Sequence, residues 1–431
     1  MATTSLKTIV SGTVAGTLLQ NEAGLMSFRY DESYRGTPLS LSMPVSNRIY
    51  SQDVLLPYLF GLLPDSETQR RAIALEFEVR PNNPIELLAH IGRDCPGGVQ
   101  FCKEADLETV LNRTGRYSPL SEHEIAQRLS SIRQDETTSW MGSEESWSLG
   151  GNQGKFALGL HDESWCECIG AAATTHIFKN GVVGFKLQAL NEYVCMKTAA
   201  RSGINAAGVE YRFFEDEPAL IVSRYDRVLD ASGQIARLHQ EDFCQALGVM
   251  PNRKYTAEGG PTTHDVLRLL CSTRNAHLNL LLFTQMLFYN CLIGAPDAHA
   301  KNYSLILGSG RNAVLAPMYD VASGLAYENL RRKGRLAMAI GGENRFDRVG
   351  AGAIHRYAGG NDPVLAAALE KAGFTEDSCT AIMADLAQEI PMSMAEVFDD
   401  AEADNIPGAA ELRERMLGPV SENCAKTLAL L

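Results

Sequence analysis

The chain lacks an excess of positive charge, a C-x-x-C pair and an uninterrupted membrane-length apolar span, and each absence removes a class of protein. Lys and Arg number 39 against 52 Asp and Glu, a net charge of −13. A surface that grips nucleic acid must neutralise phosphates with Lys and Arg, so any DNA association would run through a basic partner. The ten cysteines are scattered and suit reduced, mostly buried thiols. The one close pair, Cys166-x-Cys168, puts both thiols on one strand face; with His161 and His176 nearby, the spacing matches no standard zinc pattern. The start, Met1-Ala-Thr-Thr-Ser-Leu-Lys7, has neither the basic region nor the apolar core of a signal peptide, so a cytoplasmic protein is expected. The run from His277 to Gly294 is apolar but interrupted by Asn279, Thr284, Gln285 and Asn290, which predicts a helix buried in a large domain and no membrane contact. No internal repeat, low-complexity tract or heptad pattern occurs.

What is present is concentrated in Ile293-Gly-Ala-Pro-Asp-Ala-His-Ala-Lys-Asn-Tyr303, followed by Ala316-Pro-Met-Tyr-Asp320. An acid (Asp297), a base (His299), a cation (Lys301) and an amide (Asn302) fall within six residues, and Asp320 adds a second acid. Phosphoryl transfer uses a carboxylate to orient the attacking hydroxyl, and oxygen ligands from an Asn and a second Asp to hold Mg²⁺. In protein kinases the catalytic Asp precedes the metal-binding Asn by five residues, and 302 − 297 gives the same five. The same residues could also cap a helix and satisfy a surface loop.

At 431 residues the chain should divide into two or three domains. The expected division is an α/β domain over 1–142, a small β-rich lobe over 143–228 and a helical lobe over 229–431, an α+β fold. Alternating residues predict short strands at Lys7–Ser11, Gly16–Leu19, Leu25–Tyr30 and Leu39–Pro44. Apolar residues three and four apart predict helices at Asp53–Gly61, Ser66–Phe77 and Pro84–Ile91, and Ser121 with Glu124 has the order of a capping box. The polar stretch from Gln134 to Ser146 is the best linker, with a boundary near residue 142.

Next, Ser148-Leu-Gly-Gly-Asn-Gln-Gly-Lys155 sets Gly150, Gly151 and Gly154 around Asn152 and Gln153 and closes on Lys155. Such a loop lets backbone approach phosphates, and it is equally a plain hairpin turn; no G-K-[ST] follows, so it is not a Walker loop. A strand ending on Lys179 precedes a helix from Leu187 to Gly203 that carries Glu192, the kinase order of phosphate lysine and orienting glutamate. The strand from Ala219 turns polar at Ser223-Arg224-Tyr225, a fitting place for a hinge against adenine. Helices are predicted over Gln240–Gly248, with acids in the first turn, and over His277–Gly294, which delivers Asp297. Further helices are predicted over Val364–Ala372, Cys379–Leu386 and Ala409–Met416.

Taken in order, these pieces resemble the HipA family of bacterial serine/threonine kinase toxins over nearly the whole chain. The resemblance is carried by Leu39–Pro44, Leu62-Leu-Pro-Asp-Ser66, Ile91-Gly-Arg-Asp94, Thr174-Thr-His-Ile177, Gln240-Glu-Asp242, Ile293-Gly-Ala295 and Asp297-x-His-Ala-Lys-Asn302. It implies an N-terminal α/β domain before a kinase-like domain. It also implies Asp297 as catalytic residue, Asn302 and Asp320 as Mg²⁺ ligands, and Lys179 as the lysine on the ATP phosphates. Gly150 to Lys155 would be the phosphate loop, Ser223 to Tyr225 the hinge, and His299, Ala300 and Lys301 phosphate neighbours. Ser148 falls at the family's self-phosphorylated serine. Family members phosphorylate an aminoacyl-tRNA synthetase, glutamyl-tRNA synthetase in the best-known case, and pair with HipB, a helix-turn-helix antitoxin that binds DNA. Two departures stand out: Ser223-Arg-Tyr-Asp-Arg227 where Glu-Arg-Phe-Asp-Arg is common, and Asn152-Gln-Gly154 where Ala-Gln-Glu is familiar. The expectation is an ATP- and Mg²⁺-dependent serine/threonine kinase toxin. Its alternatives are a catalytically weak co-repressor acting with a DNA-binding antitoxin, and a small-molecule kinase.

Overall fold

The computed structural model describes residues 4–134, 145–151 and 153–431. The expected linker and the boundary near 142 fall outside the described residues, as does Asn152. Chain contacts divide the protein into two units, one of 4–182, 212–252 and 304–312, the other of 183–211, 253–303 and 313–431.

The first unit opens with an antiparallel sheet in the order β4-β3-β2-β1-β5, formed by β1 (Thr4–Val10), β2 (Thr13–Gln20), β3 (Met26–Tyr30), β4 (Ile49–Ser51) and β5 (Val99–Cys102). Alternate residues Leu6, Leu18, Phe28 and Tyr30 bury on one face with Tyr58, Leu59 and Leu88. Three helices follow β4, α1 (Gln52–Gly61), α2 (Glu67–Glu76) and α3 (Pro84–Ile91); Tyr58 and Leu59 come from α1 and Leu88 from α3. Capping starts two of these helices: Ser66 accepts from the amide of Gln69, and Asn83 from those of Ile85 and Glu86. The expected strand at Leu39–Pro44 is instead a turn closed by a Ser40–Met43 bridge. The buried Tyr30 hydroxyl explains it, since it accepts from the Leu39 amide at 2.6 Å and donates to the Met43 carbonyl at 2.7 Å, curling the segment around itself.

After α4 (Leu107–Leu111) comes a second sheet, built from β6 (Gly115–Pro119), β7 (Phe156–His161), β8 (Ser164–Gly170), β9 (His176–Lys179), β10 (Val209–Phe214) and β11 (Glu217–Ser223), in the order β10-β11-β9-β7-β8-β6. Helix α5 (Glu122–Gln134) covers it, its start fixed by the predicted Ser121–Glu124 box, and Leu129 and Ile132 pack with Phe156, Phe178 and Phe214. Cys166 and Cys168 both lie buried on β8, as expected. A hairpin of β12 (Arg227–Leu229) and β13 (Ile235–Arg237) follows.

The helix expected at Gln240–Gly248 is shorter. Residues Gln240–Asp242 form β14, paired with β15 (Ser304–Leu307), and α7 covers only Phe243–Leu247. Asp242 is not a first-turn acid but the N-cap, in a reciprocal box with Gln245, and Gly248 ends the helix in the left-handed region. Glu241 is fully buried, with Oε1 accepting from the Leu41 amide at 2.8 Å.

The second unit is helical. It comprises α6 (Gln188–Arg201), α8 (Thr263–Cys271), α9 (Ala276–Leu292), α10 (Glu328–Lys333), α11 (Ala351–Tyr357), α12 (Pro363–Lys371), α13 (Glu376–Ala403) and α14 (Ala409–Leu430). Helix α13 packs on α6, α9 and α14. Buried polar residues of α9 find partners inside the unit: Asn279 donates to Thr273 and the Ala313 carbonyl, Thr284 meets the Tyr357 hydroxyl, and Asn290 donates to the Tyr303 hydroxyl. That satisfaction makes a buried helix of the apolar run. Among the described residues no helix is long and apolar enough to cross a membrane.

Helices α13 and α14 run well past the expected Leu386 and Met416, through Pro391 and Pro419. Pro419 cannot donate to the carbonyl of Arg415. The guanidinium of Arg331 donates to it instead at 3.0 Å, so the helix continues.

Burial pushes the Glu241 carboxyl up to about 8 from 4.5. Between those values the unfolded chain has released a proton that the fold retains, so this residue's contribution to stability falls as pH rises through that window and levels off above it. Denaturant unfolding of the wild type should therefore lose on the order of a few kcal/mol relative to Glu241→Gln as pH rises through the window. Parallel pH profiles for the two proteins would contradict the assignment.

Candidate functional site

Each unit positions one set of the predicted residues. In the second unit, α9 ends at Leu292 and the chain turns at Gly294, whose φ of +65° lies in the left-handed region that glycine tolerates. Asp297 follows with an exposed side chain. Its carbonyl accepts from the His299 amide and from Nδ2 of Asn302, both at 2.8 Å, and the Asn302 amide donates to the His299 carbonyl at 2.9 Å. The five-residue spacing is thus closed into a compact loop. With Nδ2 committed to Asp297, the amide oxygen Oδ1 is the Asn302 atom suited to a hard cation.

The carboxylate of Asp297 accepts a short hydrogen bond from the Tyr255 hydroxyl, and the Tyr255 ring meets the buried His299 ring edge-on. Sequence reasoning missed Tyr255, which lies 42 residues upstream in no motif. Ala300 and Lys301 are buried beside it. Tyr319 donates to the Lys301 carbonyl at 2.8 Å, which ties the residue before Asp320 to the residue before Asn302. Asp320 has φ +61°, a conformation costly for a residue with a Cβ and found disproportionately where function demands it. Met318, two residues earlier, is held by backbone bonds to Asn205 and Ala207. Glu192 is buried in α6.

In the first unit, the Gly-rich segment is tied to the turn after α1: the Asp65 amide donates to the Gly151 carbonyl at 3.0 Å. Gly151 has φ +99°, and a Cβ there would stand 2.5 Å from the Lys155 ammonium. The Lys155 ammonium thus approaches the main chain at Gly151, where the positive φ favours glycine. Gly154 lies over Ile132, Gln153 and Gly150 are half-buried, and Lys179 ends β9 with a buried side chain.

Ser223 pairs with His176 at the end of β11, and the Tyr225 hydroxyl donates to Gln240 at 2.9 Å. Arg224 turns inward. Its guanidinium bonds Asp226, Thr174 and the Cys95 carbonyl at 2.8–3.0 Å. It belongs to a buried cluster in which Asp94 meets Arg227 at 2.9 Å, Arg237 at 2.8 Å and Arg224 at 3.5 Å. Asp226 meets Arg224 and Arg227, both at 2.9 Å, and accepts from the Gly97 amide. Burial would raise the Asp94 carboxyl; the guanidiniums of Arg227, Arg237 and Arg224, with the Thr174 hydroxyl, outweigh it and hold Asp94 well below the usual carboxylate range. The backbone of Asp94 also brackets the buried Ser148 segment, donating to the Ser146 carbonyl and accepting from the Ser148 amide. The sequence signal for the cluster is the charge run Arg224-Tyr-Asp-Arg227 directly after an apolar strand.

An exposed acid five residues before an amide at the end of a buried helix, in a chain that also carries a glycine-rich segment and a buried strand lysine, is the pattern of an enzyme of the kinase class. More narrowly, the chain belongs to the HipA family: residues 6–102 match the HipA N-terminal domain and 147–394 the HipA-like C-terminal domain. It is 37% identical over 340 residues to Y4mE, a provisionally named kinase of Sinorhizobium fredii, covering 77% of this chain and 79% of that protein. It is 29% identical to the serine/threonine-protein kinase toxin HipA of Shewanella oneidensis, over 85% and 82% of the two chains. In fold it is similar to the solved Shewanella oneidensis HipA in complex with HipB and operator DNA, with a TM-score of 0.81, 24% identity and 99% and 98% coverage.

Removing Asp94 strips the buried guanidiniums of their shared partner. Asp94→Ala should cost about 3–5 kcal/mol, the size typical of breaking a buried ion pair from one side. Hydrogen exchange should show the backbone amides of 146–149 losing protection before the rest of the first unit. A variant as stable as wild type would contradict the role given to this carboxylate.

Proposed function

We propose that this protein is an ATP- and Mg²⁺-dependent serine/threonine protein kinase that acts as a growth-arresting toxin. The observation that carries the proposal is the closed Asp297–Asn302 loop, in which one residue presents an exposed carboxylate while the other, five positions on, has its Nδ2 fixed. Asp297 would accept the proton of the substrate hydroxyl, with the Tyr255 hydroxyl orienting its carboxylate. Asn302 and Asp320 would supply an amide and a carboxylate oxygen, a donor set that suits Mg²⁺, which takes few protein ligands and completes its shell with water and phosphate. That cation, once bound, neutralises charge on the transferred phosphoryl group. Lys179, Lys155, His299 and Lys301 would hold phosphate oxygens, Glu192 would orient a phosphate-binding lysine, and Gly150, Gly151, Gln153 and Gly154 would admit the phosphates to backbone. Ser223 and Tyr225 would face the adenine; Arg224 is assigned to the Asp94 cluster instead.

The partner proposed from the family is a HipB-like helix-turn-helix antitoxin, through which alone this acidic chain would meet DNA. The substrate proposed is a translation component such as an aminoacyl-tRNA synthetase, glutamyl-tRNA synthetase among them. The compartment proposed is the cytoplasm, in keeping with free and mostly buried cysteines.

Asp297→Asn should keep nucleotide affinity and lower phosphoryl transfer ~10²-fold or more, and should abolish growth arrest on expression. Asn302→Ala and Asp320→Ala should lose Mg²⁺-dependent transfer while unfolding at wild-type temperatures. A growth-arresting Asp297→Asn protein would favour a binding role with an antitoxin over catalysis.

Ser148 is 1% exposed, with its amide bonded to the Asp94 carbonyl. A phosphate there would add roughly −1.5 to −2 charges in a buried place beside the carboxylate of Asp94. The segment must leave this position both to be modified and to carry the charge, so self-phosphorylation would disorder the adjoining glycine loop and switch the kinase off. Mass spectrometry after incubation with Mg²⁺-ATP should find the phosphate on Ser148, and the modified fraction should not bind ATP. Undiminished binding by that fraction would sink the off-switch.

A further inference from the structure

In a chain of net charge −13, the second unit contains a cleft of about 100 Å³ whose lining is cationic. Arg332 and Arg335 come from α10 and the turn after it, Arg345 from the following loop, and Lys426 from α14; Asp347 and Glu422 are the acids among the lining residues. Arg331 also lines it, but its guanidinium is committed to the carbonyls of Leu325 and Arg415 and serves α14. Arg335 and Lys426 are exposed, and Arg335 donates to the neighbouring carbonyls of Lys333 and Gly334. Arg332 and Arg345 are tied to Glu328 and Asp347 on the surface, contacts that an incoming anion can replace at small cost. The space suits one carboxylate or phosphate group, being well below the ~300 Å³ or more of a typical small-molecule pocket. Guanidinium forks match either group bidentately.

Two residues that line this cleft, Leu325 and Asn423, also contact the backbone leading into the Asp297–Asn302 loop. Leu325 packs where a Cβ on Gly294 would stand, and the Gly324 amide donates to the Gly294 carbonyl at 2.9 Å. Asn423, also in the lining, donates to the carbonyls of Cys291 and Leu292 at 3.1 and 2.9 Å, the end of α9. We infer that this cleft is a subsite for an anionic side chain of the protein substrate, selecting target serines or threonines that lie in acidic sequence. A general acidic partner is repelled by the rest of the surface, so the local reversal of sign acts as a selector. This rests on the protein-kinase reading above, and its test separates the two.

The test measures peptide binding on the Asp297→Asn protein, where no turnover occurs. The probes are a fluorescent serine-centred peptide flanked by glutamates, its glutamine counterpart, the same peptide with phosphoserines in place of the glutamates, and a single-stranded RNA. Anisotropy should show the acidic peptides binding at least about tenfold more tightly than the glutamine peptide, with the preference shrinking as salt is raised. Comparing glutamate with phosphoserine identifies which anion the cleft takes. Arg335→Glu with Lys426→Glu should erase the preference and leave ATP affinity unchanged, whereas Lys426→Arg should retain it. In the active enzyme the charge-reversed variant should raise KM for the acidic peptide about tenfold with kcat kept. Equal binding of acidic and neutral peptides, a preference that survives charge reversal, or tighter binding of the RNA would overturn the subsite. Loss of all phosphoryl transfer in the wild type, with the binding preference intact, would overturn the kinase reading alone.

Discussion

Asp94 is the constraint on which the first unit depends. It is a buried carboxylate between the end of the N-terminal sheet's helices and β5, and it collects Arg227 and Arg237 from the β12–β13 hairpin, Arg224 from the end of β11 and the Thr174 hydroxyl before β9. Its neighbour Gly97 bonds Asp226 and Arg227 from the opposite side. Three buried guanidiniums and two buried carboxylates must be matched to one another, because burial penalises each charge by several kcal/mol. The carbonyls of Cys95, Gly97 and Ala171 accept further guanidinium N–H groups. The arrangement fixes where the β-rich lobe meets the N-terminal sheet, and through its main chain the same residue holds Ser148 in place. Stability of this unit and the position of Ser148 are therefore one physical problem.

In the second unit the equivalent demand is to hold the Asp297–Asn302 loop at the end of a buried helix. Apolar packing alone would let α9 rotate; the hydrogen bonds of Asn279, Thr284, Tyr289 and Asn290 fix its register. Asn423 from α14 then caps the carbonyls at its end. Helix α14 in turn depends on Arg331 to bridge the gap left by Pro419, so the cationic cleft and the Asp297–Asn302 loop share supports.

Much of this was legible in the residues. The Asp297-to-Asn302 spacing, the helix that delivers it, the Ser121 cap and the alternation of the first strands all follow from local pattern, and the structure forms them where local pattern puts them. What was not legible was long-range. Pro419 reads as a helix breaker because the donor replacing the lost bond, Arg331, is 84 residues from the carbonyl it serves. Gln240-Glu-Asp242 has the composition of a helix start, and pairing with β15 decides otherwise. Arg224 stood in the stretch expected to face adenine, but its partners at positions 94, 95 and 174 come together only in the fold. Tyr255 carries no motif at all, and only geometry finds it beside Asp297.

The account stands or falls on protein phosphorylation. Incubating the purified protein with γ-labelled Mg²⁺-ATP and a bacterial lysate, then sorting the label by size and by phosphoamino acid, tests it most directly. The account predicts label in phosphoserine or phosphothreonine of a discrete protein band. Label confined to small molecules, or none above that of the Asp297→Asn protein, would contradict it.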